Sequence, residues 1–148
     1  MRLMFPVSKP ARDDQPARPA HTAQRPVRIL LIDDDPLLVR SLRDVLEPDG
    51  HDVVICEGGR SGIEAFTAAH RSGHPFQLVI TDLGMPYVDG SKVAETVKAI
   101  SPPTPVVLLT AWGKHVAEGT EPATKVDRIL AKPPRIAELR QAIRDLIP

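Results

Sequence analysis

Five short apolar runs punctuate this chain, and segments of helical period fill the gaps between them. The runs cover residues 27–32, 53–56, 78–80, 106–109 and 126–131. Each is too short for an ordinary helix and is nearly all apolar, as strands buried on both faces are. Between them, Leu38, Leu42, Val45 and Leu46 share one helix face, as do Val93, Val97 and Ile100. Ile136, Leu139, Ile143 and Leu146 do the same near the C-terminus. Strands alternating with helices build right-handed βαβ units, so the expected class is α/β. The sheet is doubly wound, with five parallel strands and five helices, and fills residues 27–148 as a single domain. The helix before the last strand is the weak one. Gly113, Gly119 and Pro122 leave room for only two turns, over residues 114–118.

Residues 1–26 have no apolar period and are rich in Pro, Arg and Ala. They read as a flexible tail, because they bury too little surface to offset their ordering entropy. The net charge of zero is unevenly spread. The tail carries Arg2, Lys9, Arg12, Arg18 and Arg25 against Asp13 and Asp14, which leaves the folded part mildly acidic. A nucleic-acid surface wants a clustered basic face, so none is expected. No apolar stretch approaches the roughly 18 residues of a membrane span, and prolines interrupt any signal-peptide core. Cys56 is the only cysteine, which suits a reducing compartment. A cytoplasmic protein without membrane contact is the expectation.

Ligands of an open parallel sheet bind beyond the carboxyl ends of its strands. The first strand ends in Asp33-Asp34-Asp35, the third in Thr81-Asp82, the fourth in Thr110-Ala111 and the fifth in Lys132-Pro133. Asp35 separates from its neighbours, because Pro36 and an amphipathic segment follow it; that is an N-cap with proline at the first helical position. Asp33, Asp34 and Asp82 then meet with Lys132 as the one nearby cation. At an effective dielectric of about 20, two carboxylates about 5 Å apart repel by roughly 3 kcal/mol. One lysine cannot cancel three such pairs, so either a carboxyl protonates or a divalent cation joins them. Hard oxygen ligands favour Mg²⁺. Lys132 can neutralise phosphoryl oxygens, Thr110 can donate to one, and Ala111 leaves room for a tetrahedral group. An aspartate in such a site can become an aspartyl phosphate.

Other motifs have structural readings. Asp89-Gly90 marks a helix start, and Met85-Pro86 shapes the loop after Asp82. Residues 57–62, "EGGRSG", read as a flexible strand-to-helix loop, without the spacing of a dinucleotide fingerprint or the lysine of a P-loop. His70 and His74 have the spacing of helical metal ligands, but Gly73 and Pro75 should end the helix there.

The stretches "ILLIDDDP", "LVITDLGMPYVDG", "VVLLTAW" and "ILAKPP" resemble the receiver domain of two-component response regulators. The fragments "LLTAWG" and "VDRILAKPP" are most similar to receivers attached to hybrid histidine kinases. The resemblance covers residues 27–148. It implies a flavodoxin-like (βα)5 fold with strand order 2-1-3-4-5. It also implies that Asp82 is the phosphoacceptor and that Asp33 and Asp34 are the acidic pair that holds Mg²⁺, with Asp82 and the backbone carbonyl of Gly84 completing the shell. Thr110 and Lys132 take the places of the switch hydroxyl and the phosphoryl-binding lysine, and the Lys132–Pro133 bond is implied to be cis. Ile129 stands where many receivers carry an aromatic that turns inward on activation. Trp112, near the path of hydrolytic water, and Gly84, which offers no side chain to orient that water, imply slow self-dephosphorylation.

The function implied is a phosphorelay switch rather than a turnover enzyme. A histidine kinase or histidine phosphotransfer domain would present phosphohistidine to Asp82, and the acyl phosphate would shift an equilibrium between two surfaces. The last helical segment runs to Pro148, so no DNA-binding effector is expected in the chain, and the output target is a protein. The other reading is a Mg²⁺-dependent phosphatase or phosphotransferase with an aspartyl-phosphate intermediate. That enzyme needs a second acid two residues after Asp82, where Gly84 stands.

Overall fold

A computed structural model of the chain describes residues 26–111 and 126–147. Five parallel strands form one sheet: β1 (Arg28–Ile32), β2 (Asp52–Cys56), β3 (Leu78–Asp82), β4 (Val106–Thr110) and β5 (Arg128–Ala131). Their order is β2-β1-β3-β4-β5, as the receiver resemblance implies. β1 lies between β2 and β3, pairing Ile29 with Val53 on one side and with Leu78 on the other. Four helices connect or follow the strands among the described residues: α1 (Pro36–Leu46), α2 (Gly59–Arg71), α3 (Gly90–Ile100) and α4 (Ile136–Leu146). The two-turn helix expected over 114–118, Trp112 and nearly all of the tail lie outside the described residues.

The strand period of two splits the core into two layers. Ile29, Leu31, Leu78, Ile80, Val107 and Leu109 face α1 and α4, meeting Val39, Leu42, Leu46, Leu139 and Ile143. Leu30, Ile32, Val79 and Val106 face α2 and α3, meeting Phe66, Ala69, Val93, Ala94 and Val97. Each large side chain so buried contributes about 1.5–3 kcal/mol. The stripe of α1 is rotated slightly from the expected one: Val39 is buried, while Leu38 and Val45 are only partly covered.

Local signals start two of the helices, α1 and α3, as expected. Asp35 caps α1, its Oδ1 accepting from Leu37 N at 3.0 Å and Leu38 N at 3.4 Å, with Pro36 at the first position. Asp89 caps α3 by accepting from Lys92 N at 3.0 Å. His74 lies beyond the end of α2, past Gly73 in the left-handed region, so the two histidines share no helix face. The reading of residues 57–62 as a loop is corrected: α2 already begins at Gly59. Its glycines are there for closeness. A β-carbon on Gly59 would overlap the carbonyl oxygen of Val88 and lie 2.8 Å from its Cγ1, and one on Gly62 would overlap the Ile32 side chain.

Candidate functional site

The parallel arrangement brings every strand's carboxyl end to one edge of the sheet. Asp33 follows β1, Asp82 closes β3, Thr110 closes β4, and Lys132 follows β5. The β4–β5 ladder continues past the last strand residue, since Lys132 N donates to the Thr110 carbonyl at 3.0 Å. That bond holds the lysine level with the ends of β3 and β4. The Lys132–Pro133 peptide is cis, as expected.

Oxygens of Asp33, Asp34 and Asp82 lie within 4.8 Å of one another. Lys132 Nζ stands 3.1 Å from Asp33 Oδ2 and 3.2 Å from Asp82 Oδ2. Asp33 and Asp82 are buried, whereas Asp34 is exposed. Backbone donors fix two of the carboxylates. Asp35 N donates to Asp33 Oδ1 at 2.9 Å, and Gly84 N donates to Asp82 Oδ1 at 3.3 Å. The sequence reading does not include this bond from Asp35, although an aspartate that accepts two residues ahead is a common local arrangement. The Asp33 carboxyl is thereby turned into the site before any ligand arrives.

Asp82, Leu83, Gly84, Thr110, Ala111 and Lys132 line a cavity of about 240 Å³. Larger hollows of about 350 Å³ beside Tyr87 and about 320 Å³ beside Phe76 lack any such group of carboxylates. Charge, not size, singles out the smaller one. Thr110 is buried, Ala111 is exposed at the rim, and the space beside Gly84 is open.

The electrostatics are those of a crowded anionic pocket. Burial pushes the Asp33 carboxyl above its usual range, and the Asp82 charge adds to that, against the opposing Asp35 N–H and Lys132. Burial works against the Lys132 charge, but the hydrogen bond and charge of Asp33, with those of Asp82, outweigh it and raise its pKa. Asp33 Oδ2 accepts no well-aligned hydrogen bond, and its partner is the ion pair to Lys132. Among the described residues, three carboxylates against one ammonium leave excess negative charge around a buried oxygen that lacks a directed donor. An oxygen-ligated dication fits that donor set. The residues expected at the site are therefore brought together: Asp33, Asp34, Asp82, Gly84, Thr110 and Lys132. Ile129 sits apart from it, half-buried in β5.

The family model described as response regulator receiver domain matches residues 29–144. Transcriptional regulatory protein GlrR of Escherichia coli is 32% identical over 125 residues, which are 84% of this chain and 27% of that protein. Response regulator receiver protein CpdR of Brucella abortus is 28% identical over 120 residues, covering 81% of this chain and 96% of that one. The chain thus spans about a quarter of the first relative's length and nearly all of the second's. Among solved structures, response regulator TrrA of Thermotoga maritima, in complex with Mg²⁺ and BeF, superposes with a TM-score of 0.72 at 25% identity, covering 82% of this chain and 99% of that one. With a matched model over nearly the whole described fold and the acidic pocket at its strand ends, this chain belongs to the response regulator receiver domain family.

Proposed function

We propose that Asp82 is the residue at which this receiver domain accepts its phosphoryl group, from a phosphohistidine of a sensor kinase or a phosphotransfer domain. A carboxylate oxygen of Asp82 attacks phosphorus, the P–O bond forms, and the P–N bond breaks with its electron pair left on the donor imidazole. Asp33, Asp34, Asp82 and the Gly84 carbonyl are the ligands proposed for Mg²⁺, which when bound supplies positive charge to the phosphoryl oxygens. Lys132 balances a further share of that charge, and Thr110 offers its hydroxyl to a phosphoryl oxygen. Neither residue needs to be consumed, because the protein is itself the acceptor.

The observation that carries this reading is the position of Lys132 Nζ, bridging Asp33 and Asp82 at 3.1 and 3.2 Å within one carboxylate cluster. The Mg²⁺ and BeF held by the Thermotoga relative support it. The domain is proposed to cover residues 27–148, with the tail outside it. The product is a switch: the acyl phosphate biases a protein-interaction surface, and decay is slow because Gly84 brings no side chain to activate water. Among the described residues no helix is long and apolar enough to cross a membrane, and a cytoplasmic setting is part of the proposal.

Incubation with MgCl₂ and a small phosphodonor, followed by intact-mass measurement, tests it. One phosphoryl group should be gained per chain, and none by Asp82→Asn. Gain by Asp82→Asn, or steady release of phosphate without a modified protein, would contradict it.

A further inference from the structure

Gly90 opens α3 directly beneath the phosphoacceptor, and the space for a side chain there is taken. A β-carbon built on it would overlap the Asp82 carbonyl oxygen and lie 2.8 Å from Leu108 Cδ1 and 2.9 Å from the Leu83 α-carbon. The first and last of these are main-chain atoms, which cannot swing aside as the tip of a side chain can. All three belong to β3, β4 or the residue just after β3, the strands that carry Asp82 and Thr110. Gly90 N also donates to the Leu83 carbonyl at 3.0 Å, closing the 83–89 loop back on its own start.

The surrounding elements have little room to yield. Val93, Ala94 and Val97 of α3 are fully buried against the sheet. Asp89 anchors the first turn through Lys92 N. On the other side, β3 is held between β1 and β4, and Leu83 N donates to the Leu109 carbonyl at 2.8 Å. An added methyl group would therefore displace the short piece between these anchors, Asp82 to Gly84. That piece carries the carboxylate and the Gly84 N–H that orients it.

We propose that Gly90 is a positioning residue for phosphoryl transfer: by lacking a side chain it lets α3 seat against the main chain of Asp82, and so sets where the acceptor carboxylate stands relative to Asp33 and Lys132. The proposal rests on Asp82 being the acceptor. Its consequence is an effect on the site beyond any effect on the fold. Misplacing a reacting group by a fraction of an ångström to about 1 Å costs roughly ten- to a hundredfold in rate.

The experiment compares Gly90→Ala with Leu46→Ala, which removes a fully buried side chain at the far end of α1. Both are examined at a temperature where circular dichroism shows them folded. Mg²⁺ affinity and the rate of phosphorylation by a small phosphodonor are measured, with Asp82→Asn in parallel. Gly90→Ala is expected to lose roughly tenfold in both quantities, while Leu46→Ala keeps both. If Gly90→Ala does not fold, Gly90→Ala/Leu108→Val is used; it frees the Leu108 contact but keeps the overlap with the Asp82 carbonyl, so the same loss is expected. A folded Gly90 variant that matches the unaltered chain overturns the proposal, as does an equal loss in Leu46→Ala. Failure of the underlying reading looks different: Asp82→Asn would still gain a phosphoryl group, which overturns the proposal as well.

Discussion

Lys132 and Asp33 form an ion pair in which only one partner reaches water. Their atoms stand 3.1 Å apart, with the lysine side chain 22% exposed and the aspartate 0% exposed. Burial dominates for Asp33 and raises its pKa even with the lysine present. A carboxyl with a raised folded-state pKa contributes stability below its ordinary pKa and loses it as pH rises through the raised value. At neutral pH its ionised form therefore works against the fold. Asp33→Asn keeps an oxygen for the Asp35 N–H and leaves Lys132 paired with Asp82. If the burial penalty on Asp33 outweighs its attraction to Lys132, as the raised Asp33 pKa indicates, the variant should be the more stable in the absence of metal. Urea melts checked with and without MgCl₂ should show that Mg²⁺ narrows this difference, because it stabilises the unaltered chain more. A less stable Asp33→Asn would contradict it.

Asp35 adjoins that pair in sequence yet does different work. Asp35→Ala removes the cap of α1 and should cost about 1 kcal/mol. Its backbone N–H to Asp33 survives the change, so Mg²⁺ affinity and phosphorylation should stay as they were. A loss of metal binding in Asp35→Ala would place it in the site after all.

How much of this was legible varies with the reach of the interaction. Asp33, Asp82, Thr110 and Lys132 each end an apolar run, and parallel strands must bring such ends together, so the pocket could be read without coordinates. Asp35-Pro36 and Asp89-Gly90 are local signals and were equally plain. The close packing at Gly59, Gly62 and Gly90 is not legible, because a glycine in sequence records a missing side chain and not the neighbour that requires its absence. For the same reason residues 57–62 read as a loop when α2 already starts at Gly59. The period does not single out Val39, since Leu38, Leu42 and Val45 make an equally good stripe, and the sheet selects the rotation.

His51 is another long-range case. It is buried, and its Nδ1 accepts from Val27 N at 3.0 Å, joining the residue before β2 to the one before β1. Burial lowers its pKa, opposed by nearby Asp49, which Arg140 Nε engages at 2.8 Å. A protonated Nδ1 could not accept that bond. With the folded value below the ordinary one, this contribution is present above about pH 6.5 and is lost as pH falls through the lowered value. From about pH 7 to about pH 5 the unaltered chain should lose stability relative to His51→Asn, which can keep an acceptor but not titrate. Equal slopes in denaturation curves would contradict this.

Tyr87 is fully exposed and has a φ of 67°. A bulky residue in the left-handed region costs of order 1–3 kcal/mol, partly offset by glycine's greater freedom when unfolded. Tyr87→Gly should thus gain about 1 kcal/mol. Chemical denaturation that finds Tyr87→Gly equal or less stable would show that the loop holds Tyr87 without strain.

The most direct test of the pocket is a calorimetric titration with MgCl₂, comparing the unaltered chain with Asp34→Asn and Asp82→Asn. One Mg²⁺ should bind per chain, with affinity reduced in both variants, because each removes one of the three carboxylate charges proposed to share the dication. Absence of binding, or binding that neither substitution weakens, would contradict the assignment of this cluster as the metal and phosphoryl site.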